Sequence, residues 1–356
     1  MKNIRLCIIC ILGFTLQNCS PEKKTDLFPD GTKIPVWFSE VTKIKLEDLG
    51  KQFNISELGA IDDSTVIQTA IIQKAIDDAH SQGGGVVVIP EGTFLSGALF
   101  FKPNIHLYLS EGAVLKGSDN IADYPFIPSR MEGQSIDYFA ALVNAYSVDG
   151  FTISGKGTID GNGLKYWEAF WQRRKENPKC TNLEVSRPRL VFIWNCDNVQ
   201  VQDVSLHNSG FWTSHYYQCN NVKILDLHIF SPHEPVKAPS TDAIDVDVCS
   251  NVLIKGCYIE NIKGQAYSMI YIKPWTQFFD LKGREDVPLS YSENITLRNI
   301  ELDCEVFFDM AITEHDRLSD FTFDNLKITA KNDAYDKGLI KGLSLSNVMV
   351  NGKLIE

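Results

Sequence analysis

Short runs of alternating apolar and polar residues recur along the chain. Cys196-Asp197-Asn198-Val199-Gln200-Val201-Gln202-Asp203-Val204 is followed by Cys219-Asn220-Asn221-Val222-Lys223-Ile224-Leu225-Asp226-Leu227. Cys249-Ser250-Asn251-Val252-Leu253-Ile254-Lys255-Gly256-Cys257 repeats the pattern, and the run from Glu293-Asn294 to Ile300 repeats it without the leading Cys. Weaker copies begin at Asn104, Gly150, Asp320 and Gly342. Apolar residues at every second position give strand periodicity, not helix periodicity. The anchors at 198, 221, 251, 294, 320 and 342 are separated by 23, 30, 43, 26 and 22 residues. A base period in the low twenties with insertions predicts a solenoid. β-Branched strands at that period predict a parallel β-helix, each coil stacked on the next. The Leu-rich pattern of a leucine-rich repeat is absent.

Equivalent positions of successive coils stack. Cys196, Cys219 and Cys249 therefore predict an inward column of small apolar side chains. Strands about 4.8 Å apart lie within disulfide range, but in-register side chains point badly for one. The column is read as packing. Asn198, Asn221, Asn251 and Asn294 predict a ladder of turn amides bonded along the stack. One amphipathic helix is predicted over Ser64 to Gln82. Ile67, Ile71, Ala75 and Ala79 share a face, and Gly83-Gly84-Gly85 ends it. A solenoid exposes its core at the first coil, so this helix is assigned as the N-terminal cap.

The chain has 356 residues, 44% hydrophobic and 22% charged. That composition excludes disorder as the dominant state. No run reaches the ~18 apolar residues of a membrane span. With 34 basic and 45 acidic residues the net charge is −11. Nucleic acid is excluded as the main partner, because a phosphate backbone requires a basic footprint. Lys2 and Arg5 precede the apolar stretch Leu6 to Leu16, and Leu16-Gln17-Asn18-Cys19 follows. This is an export signal. A Cys at the cleavage position resembles a bacterial lipoprotein signal, which implies acylation of Cys19; the alternative is a plain secretory signal cut nearby. The expected organisation is a signal at 1–18, a tether at 19–40 and a β-helix domain at 41–356. An outer-membrane or periplasmic location follows, with the lipid as the sole membrane contact. Losing residues 1–18 removes Lys2 and Arg5 and no acid, which takes the charge to −13.

A set of segments carries a family resemblance. Leu58-Gly59-Ala60, Ile71-Ile72-Gln73-Lys74-Ala75-Ile76 and Gly83-Gly84-Gly85 through Phe94 come first. Gly155-Lys156-Gly157-Thr158-Ile159-Asp160-Gly161 follows, then Leu206-His207-Asn208-Ser209-Gly210-Phe211-Trp212, then Ser240-Thr241-Asp242-Ala243-Ile244-Asp245. Together, over roughly residues 30–260, they resemble glycoside hydrolase family 28, the pectin hydrolases. The resemblance implies an all-β, right-handed parallel β-helix that cleaves α-linked galacturonate with inversion. It implies no metal or cofactor, a pectic polysaccharide as the partner, and a monomer.

Inverting hydrolysis needs one protonated acid at the leaving oxygen and one base for water. The family takes these from an Asn-Thr-Asp segment and an Asp-Asp pair one coil later, followed by Gly-His-Gly and Arg-Ile-Lys. Ser240-Thr241-Asp242 stands at the first segment, which makes Asp242 a water-positioning carboxylate and Asp245 its neighbour. Asp245 and Asp247 alternate with Ile244, Val246 and Val248, so all three carboxylates are expected on one strand face, close enough to raise a pKa. A solvated strand face or a stray cation site is the plain alternative. One coil later stands Lys263-Gly264-Gln265-Ala266, with no Asp-Asp pair. Tyr271-Ile272-Lys273 echoes Arg-Ile-Lys without its Arg. Coils between Glu260 and Ala266 read as missing, and weak or absent turnover is expected.

Candidate substrate contacts are Lys263, Lys273, Trp212 and Trp275, with Lys282 and Arg284 adding positive charge nearby. Trp167, Trp171, Phe211 and Tyr216 are further stacking candidates whose plain reading is packing. Asp280, Glu285 and Asp286 are conceivable replacement acids. Two other readings stand beside the hydrolase: a non-catalytic carbohydrate-binding surface lipoprotein, and a lyase holding Ca²⁺ on Asp242, Asp245 and Asp247.

Overall fold

In the computed structural model, described for residues 36–232, 235–255, 258–260, 266–272, 290–293, 296–312 and 316–356, parallel strands stack coil upon coil. The stack is the parallel β-helix expected from the repeat, with the right hand that the resemblance implies. Glu40–Glu356 forms one compact unit. Of the unit before it, only the 3₁₀ turn Val36–Ser39 is described.

Three parallel sheets wall the first stack, with seven, five and seven strands. Alternation points every second side chain inward. Val87, Leu107, Ile153, Val201, Ile224 and Ile254 stand in register in one sheet. Phe94, Leu115, Ile159, Leu206, Ile229 and Ile259 do so in another. The five-stranded sheet carries the site, and its strands are β1 (Leu99–Phe101), β2 (Val143–Tyr146), β3 (Val191–Trp194), β4 (Ser214–Tyr217) and β5 (Asp245–Asp247). Its inward column is Phe101, Ala145, Ile193, Tyr216 and Val246. These columns are buried until the last coil, where Val246 is 45% and Ile254 47% exposed. A second stack runs through Ala266–Ile272, Thr296–Met310, Thr322–Asn332 and Ser344–Val350, around Phe307, Phe323, Leu326 and Val348. The antiparallel strand Lys353–Ile355 closes it. The two stacks share no described strand pairing.

Both sequence ladders are present. Cys196, Cys219 and Cys249 are free thiols in successive coils, and the Cys219 amide donates to the Cys249 sulfur at 3.4 Å. Asn221 Nδ2 donates to Asn198 Oδ1, and Asn251 Nδ2 to Asn221 Oδ1, both at 3.1 Å. All three Asn have φ of 51–57°, the left-handed conformation Asn tolerates best after Gly. Asn294 and Cys257 lie outside the described residues. A further pair, Asn347 to Asn325 at 2.7 Å, repeats the device in the second stack. Gly155 of the Gly-Lys-Gly segment has φ +108°, and a Cβ there would fall 1.9 Å from the Leu109 carbonyl oxygen. The coils approach too closely at that point for any side chain.

The capping helix α1 spans Thr69–Ser81, shorter than expected. Asp63–Ile67 is a strand instead, held by pairing to Gly92–Ser96, and Ile67 is exposed. The buried face is Ile72, Ala75, Ile76 and Ala79; Ala75 and Ala79 are as expected, and Ile71 packs half-buried at its margin. It covers the open end of the first coils, and the Gly84 amide closes the helix on the Ala79 carbonyl at 3.0 Å. Two elements were not anticipated. An antiparallel hairpin, Phe126–Met131 with Gln134–Phe139, interrupts one coil, and helix α2, Leu164–Glu176, interrupts the next. The turn of the hairpin lines the site, and α2 packs Phe170 on the buried Arg187 beneath it.

Candidate active site

On the outer face of the five-stranded sheet, Asn144, Phe192, His215 and Asp245 stand in register, one per coil. Beside them run Tyr146, Trp194, Tyr217 and Asp247. Alternation that sends Ile193, Tyr216 and Val246 inward sends these residues out. Asp245 and Asp247 therefore share the outer face, as the sequence implies. Asp242 does not lie on that strand. It precedes β5, after Ser240 at φ +55°, and its carbonyl takes the Thr213 amide at 2.8 Å. Asp242 stands three residues before Asp245, an odd separation, so alternation does not send it to the face of Asp245 and Asp247. Its carboxyl instead lines a pocket with Glu132, Gly133, Asn182, Trp212 and Ser240.

The segment leading into β3 places two arginines beneath this surface. Arg187 is fully buried, with its guanidinium 4.4 Å from the ring centroids of both Phe170 and Phe211. It donates to the Pro239 carbonyl at 2.7 Å and to Asn182 Oδ1 at 3.3 Å. Arg189 lies 3.9 Å over Phe192 and donates to Ser129 Oγ, to the Arg130 carbonyl at 3.2 Å and to His215 Nδ1 at 2.8 Å. Burial brings both guanidinium pKa values down to about 10, so both remain charged at neutral pH. Arg189 Nη1 can only donate, so His215 Nδ1 accepts and the ring proton sits on Nε2. That proton faces Asp247 Oδ2, 3.9 Å away. Burial pushes the His215 pKa down, against the pull of Asp247, so the ring is neutral.

The three carboxylates are sorted by their surroundings. Burial pushes Asp245 up to about 8, Asp242 and Asp247 add to this, and Arg189 opposes it. Asp245 Oδ2 is buried with no hydrogen-bond partner among the described residues. Asp242 reaches solvent at the pocket mouth, but the protein around it still raises its pKa by desolvation, offset by Arg187 and reinforced by Glu132. Burial works the same way on Asp247, yet His215 and Arg130 overcome it and hold Asp247 below the usual range. Arg130 Nε donates to Asp247 Oδ2 at 2.9 Å, and its guanidinium lies 5.1 Å over Tyr217. At neutral pH the arrangement thus presents a protonated Asp245 between two less basic carboxyls. Such a split between neighbouring groups is how one site obtains both an acid and a base.

Of the expected contacts, Trp212 is at the site, stacked on Phe211 at 5.3 Å. Lys263, Lys273, Trp275, Lys282, Arg284, Asp280, Glu285, Asp286 and Cys19 lie outside the described residues. Trp167 and Phe211 are buried, and Tyr216 fills the coil interior, so these three pack and do not stack on sugar. Trp171 on α2 donates to the Lys237 carbonyl at 2.7 Å. Asp247 is committed to Arg130, and no group of three ligating side chains among the described residues could hold a metal. Among the described residues the three Asp thus do not gather as one metal-ligating group. Sequence reasoning missed Arg130, Glu132, Arg187, Arg189 and His215. Arg187 and Arg189, in Arg187-Pro188-Arg189 just before an apolar strand, carried a legible signal: cations that close to a core run must be buried or line a cleft.

β5 pairs with β4 on one side, and no described strand pairs with its other edge. The family model for glycosyl hydrolases family 28 matches residues 87–264, half of the chain. A probable polygalacturonase of Vitis vinifera is 28% identical over 215 residues, covering 58% of this chain and 42% of that protein. An exo-poly-alpha-D-galacturonosidase of Dickeya chrysanthemi is 40% identical over 123 residues, covering 32% and 20%. The chain thus spans less than half the length of these two relatives. The crystal structure of a hyperthermoactive exopolygalacturonase from Thermotoga maritima superposes with a TM-score of 0.54 at 20% identity, covering 88% of this chain and 73% of that one. That likeness concerns the fold.

Proposed function

We propose that this chain, which belongs to glycosyl hydrolases family 28, is a slow inverting hydrolase of galacturonate-containing pectic polymers. The observation that carries the reading is the sorting of the carboxylates at the head of β5, where Asp245 holds a proton at neutral pH beside Asp242. Asp245 as the acid donates its proton to the glycosidic oxygen as the bond to the anomeric carbon breaks. Asp242 as the base takes a proton from the water that attacks the opposite face of that carbon. Asp242 and Asp245 stand three residues apart, at most about 10 Å between Cα atoms, the same order as the ~6.5–9.5 Å that inverting enzymes keep between their carboxyls. Slowness is supported by the sequence one coil after Asp242, Lys263-Gly264-Gln265-Ala266, which holds no Asp-Asp pair. No following described strand brings a second pair of carboxylates beside Asp242, and acid assistance of that kind is worth about 10²–10⁴-fold. Reducing-sugar release and the anomeric form of the product, measured on polygalacturonate and rhamnogalacturonan, test the reading. Slow release with inversion, lost in Asp245→Asn and in Asp242→Asn, is expected. Turnover at the variants matching the native chain would remove these carboxylates from the reaction.

The exposed Val246 and Ile254 at the end of the first stack favour a second component of the proposal, that coils of the ancestral helix are missing here. A chain with an interrupted stack still presents the outer face of β1–β5, so polymer binding without turnover is the alternative reading, decided by the same assay. Export and acylation at Cys19 belong to the proposal as well. Incorporation of labelled palmitate into the full chain in a bacterial host, abolished by Cys19→Ser, is the expected result.

A further inference from the structure

A second groove, of about 620 Å³, lies between α2 and residues 235–236 and shares no lining residue with the pocket at Asp242. Its volume is in the middle of the range for ligand sites. Lys165, Glu168, Gln172 and Lys175 line it at spacings of three, four and three residues, which is one face of a helix. Trp171, three residues after Glu168 and four before Lys175, borders the same face. Ala169, Pro235 and Val236 add apolar surface. Trp171 is half-buried and its ring is fixed in place. Its Nε1 donates to the Lys237 carbonyl at 2.7 Å, and it meets Phe170 edge-on at 5.3 Å. Phe170 in turn packs against the guanidinium groups of Arg187 at 4.4 Å and Arg174 at 5.2 Å. An indole already held in this way loses little freedom when a ligand covers its face.

The charge of this segment runs against that of the protein. Residues 164–179 carry five basic and two acidic side chains, in a chain of net charge −11. Arg173 is taken by Glu184 at 2.6 Å, so the attraction for a ligand falls to the lysines. Lys165 and Lys175 are exposed near the two ends of α2, about 15 Å apart along its axis. Lys165 has only a loose surface pair, 3.8 Å from Asp119, and Lys175 makes no ion pair among the described residues. We propose that this groove is an accessory binding site for an acidic sugar chain, a second hold on the polymer apart from the carboxylate site. The C–H face of one ring covers Trp171, its hydroxyls donate to Glu168, and carboxylates on either side of it meet Lys165 and Lys175. The inference takes the identity of the polymer from the pectin reading above. One loop borders both sites, since Pro235 and Val236 line this groove while Ser240 and Asp242 line the other. A polymer that reaches both is held twice, and the second contact forms at high effective concentration.

The test measures binding of polygalacturonate by affinity electrophoresis, using the full chain with Asp245→Asn so that the polymer is held and not cut, and with a chelator present. Neutral galactan is the control polymer. Lys175→Glu and Trp171→Ala are each expected to weaken polygalacturonate binding about threefold to tenfold. Lys175→Arg, which keeps the charge, should change little. Added salt should shrink the effect of Lys175→Glu and leave that of Trp171→Ala, since screening acts on the charge contact alone. Hydrogen exchange should slow in α2 and at residues 235–237 when polygalacturonate is bound. Circular dichroism verifies that the helix variants fold. Affinity unchanged in both Lys175→Glu and Trp171→Ala overturns the accessory site, and hydrolysis by the native chain that is lost in Asp242→Asn then leaves the pectin reading standing. Galactan bound as tightly as polygalacturonate, with the same losses in the variants, overturns the assignment to an acidic chain. Binding to phosphatidylglycerol vesicles that Lys175→Glu abolishes, with polygalacturonate unaffected, gives the patch to a membrane surface and overturns it too. Failure to bind or cleave either polygalacturonate or rhamnogalacturonan overturns both readings together.

Discussion

Replacing Asp245 by Asn removes a carboxyl that the folded protein holds protonated, and the consequence is a change in how stability depends on pH. The folded pKa of about 8 stands above the ordinary 3.8. Below about pH 4 the group is protonated in both states and contributes nothing. As pH rises from there, the unfolded chain releases the proton while the folded chain retains it. Stability then falls by up to about 1.4 kcal/mol per pH unit. The loss saturates once pH passes about 8. A gap of roughly four units caps the penalty near 5–6 kcal/mol. Partial solvent contact and coupling to Asp242 reduce it to roughly 2–3 kcal/mol. Asp242, raised in the same direction, contributes a penalty of like sign that remains in the variant. Asp247, held low, acts in reverse: its stabilisation is present above its unfolded pKa and is lost as pH falls through its folded value. Urea unfolding of both proteins at pH 4.5, 6, 7.5 and 9 therefore should show the native chain losing about 2–3 kcal/mol relative to Asp245→Asn across the series. The comparison uses the slope with pH, since an Asn at this position alters the absolute stability through its own hydrogen bonding. Parallel curves from pH 4.5 to 9 would show that Asp245 ionises normally in the folded state. The proposed acid would then lack its proton at neutral pH. The same logic makes turnover fall as pH rises through about 8.

Thiol titration of denatured, unreduced protein should count Cys196, Cys219 and Cys249 as free, and finding all three in disulfides would refute the packing column. Asn221→Ala loses an amide bond on each side of the ladder and puts a Cβ-bearing aliphatic residue at φ +56°, so a loss of about 1–3 kcal/mol is expected. Asn221→Gly should cost less, because it keeps the backbone conformation, and equal losses would show that the amide bonds dominate. Ile76→Ala, at the centre of the cap's buried face, should cost about 2–5 kcal/mol by thermal or denaturant unfolding, and a loss under 1 kcal/mol would mean that α1 does not seal the first coil. Arg189→Met removes the donor that fixes the His215 tautomer, so the imidazole pKa, followed by NMR, should rise toward its ordinary value once a buried positive neighbour is gone.

The repeat was legible from the chain itself, because a solenoid is held by contacts between equivalent positions of adjacent coils. Inward column, Cys column and Asn ladder are each set by a run of about ten residues that recurs along the chain, and each is present among the described residues. The cap was legible in kind but not in bounds. Pairing of Asp63–Ile67 to Gly92–Ser96 captured the first turn of the expected helix, and strand pairing is decided by a partner some thirty residues away. The carboxylates of the site were found by resemblance, and alternation correctly put Asp245 and Asp247 on one face. It failed for Asp242, because Asp242 and Asp245 are three residues apart and a period of two cannot put both on one face; the chain before β5 instead brings Asp242 to the pocket. What the sequence could not supply was the electrostatic setting. Arg130 and Glu132 reach the site on a hairpin inserted between coils, more than a hundred residues before the Asp residues they act on. Arg187 and Arg189 are buried against Phe170, Phe211 and Phe192 from separate elements. A pKa is set by every charge and every bit of protein mass around a group, so which Asp keeps its proton was decided only when the coils and their insertions came together.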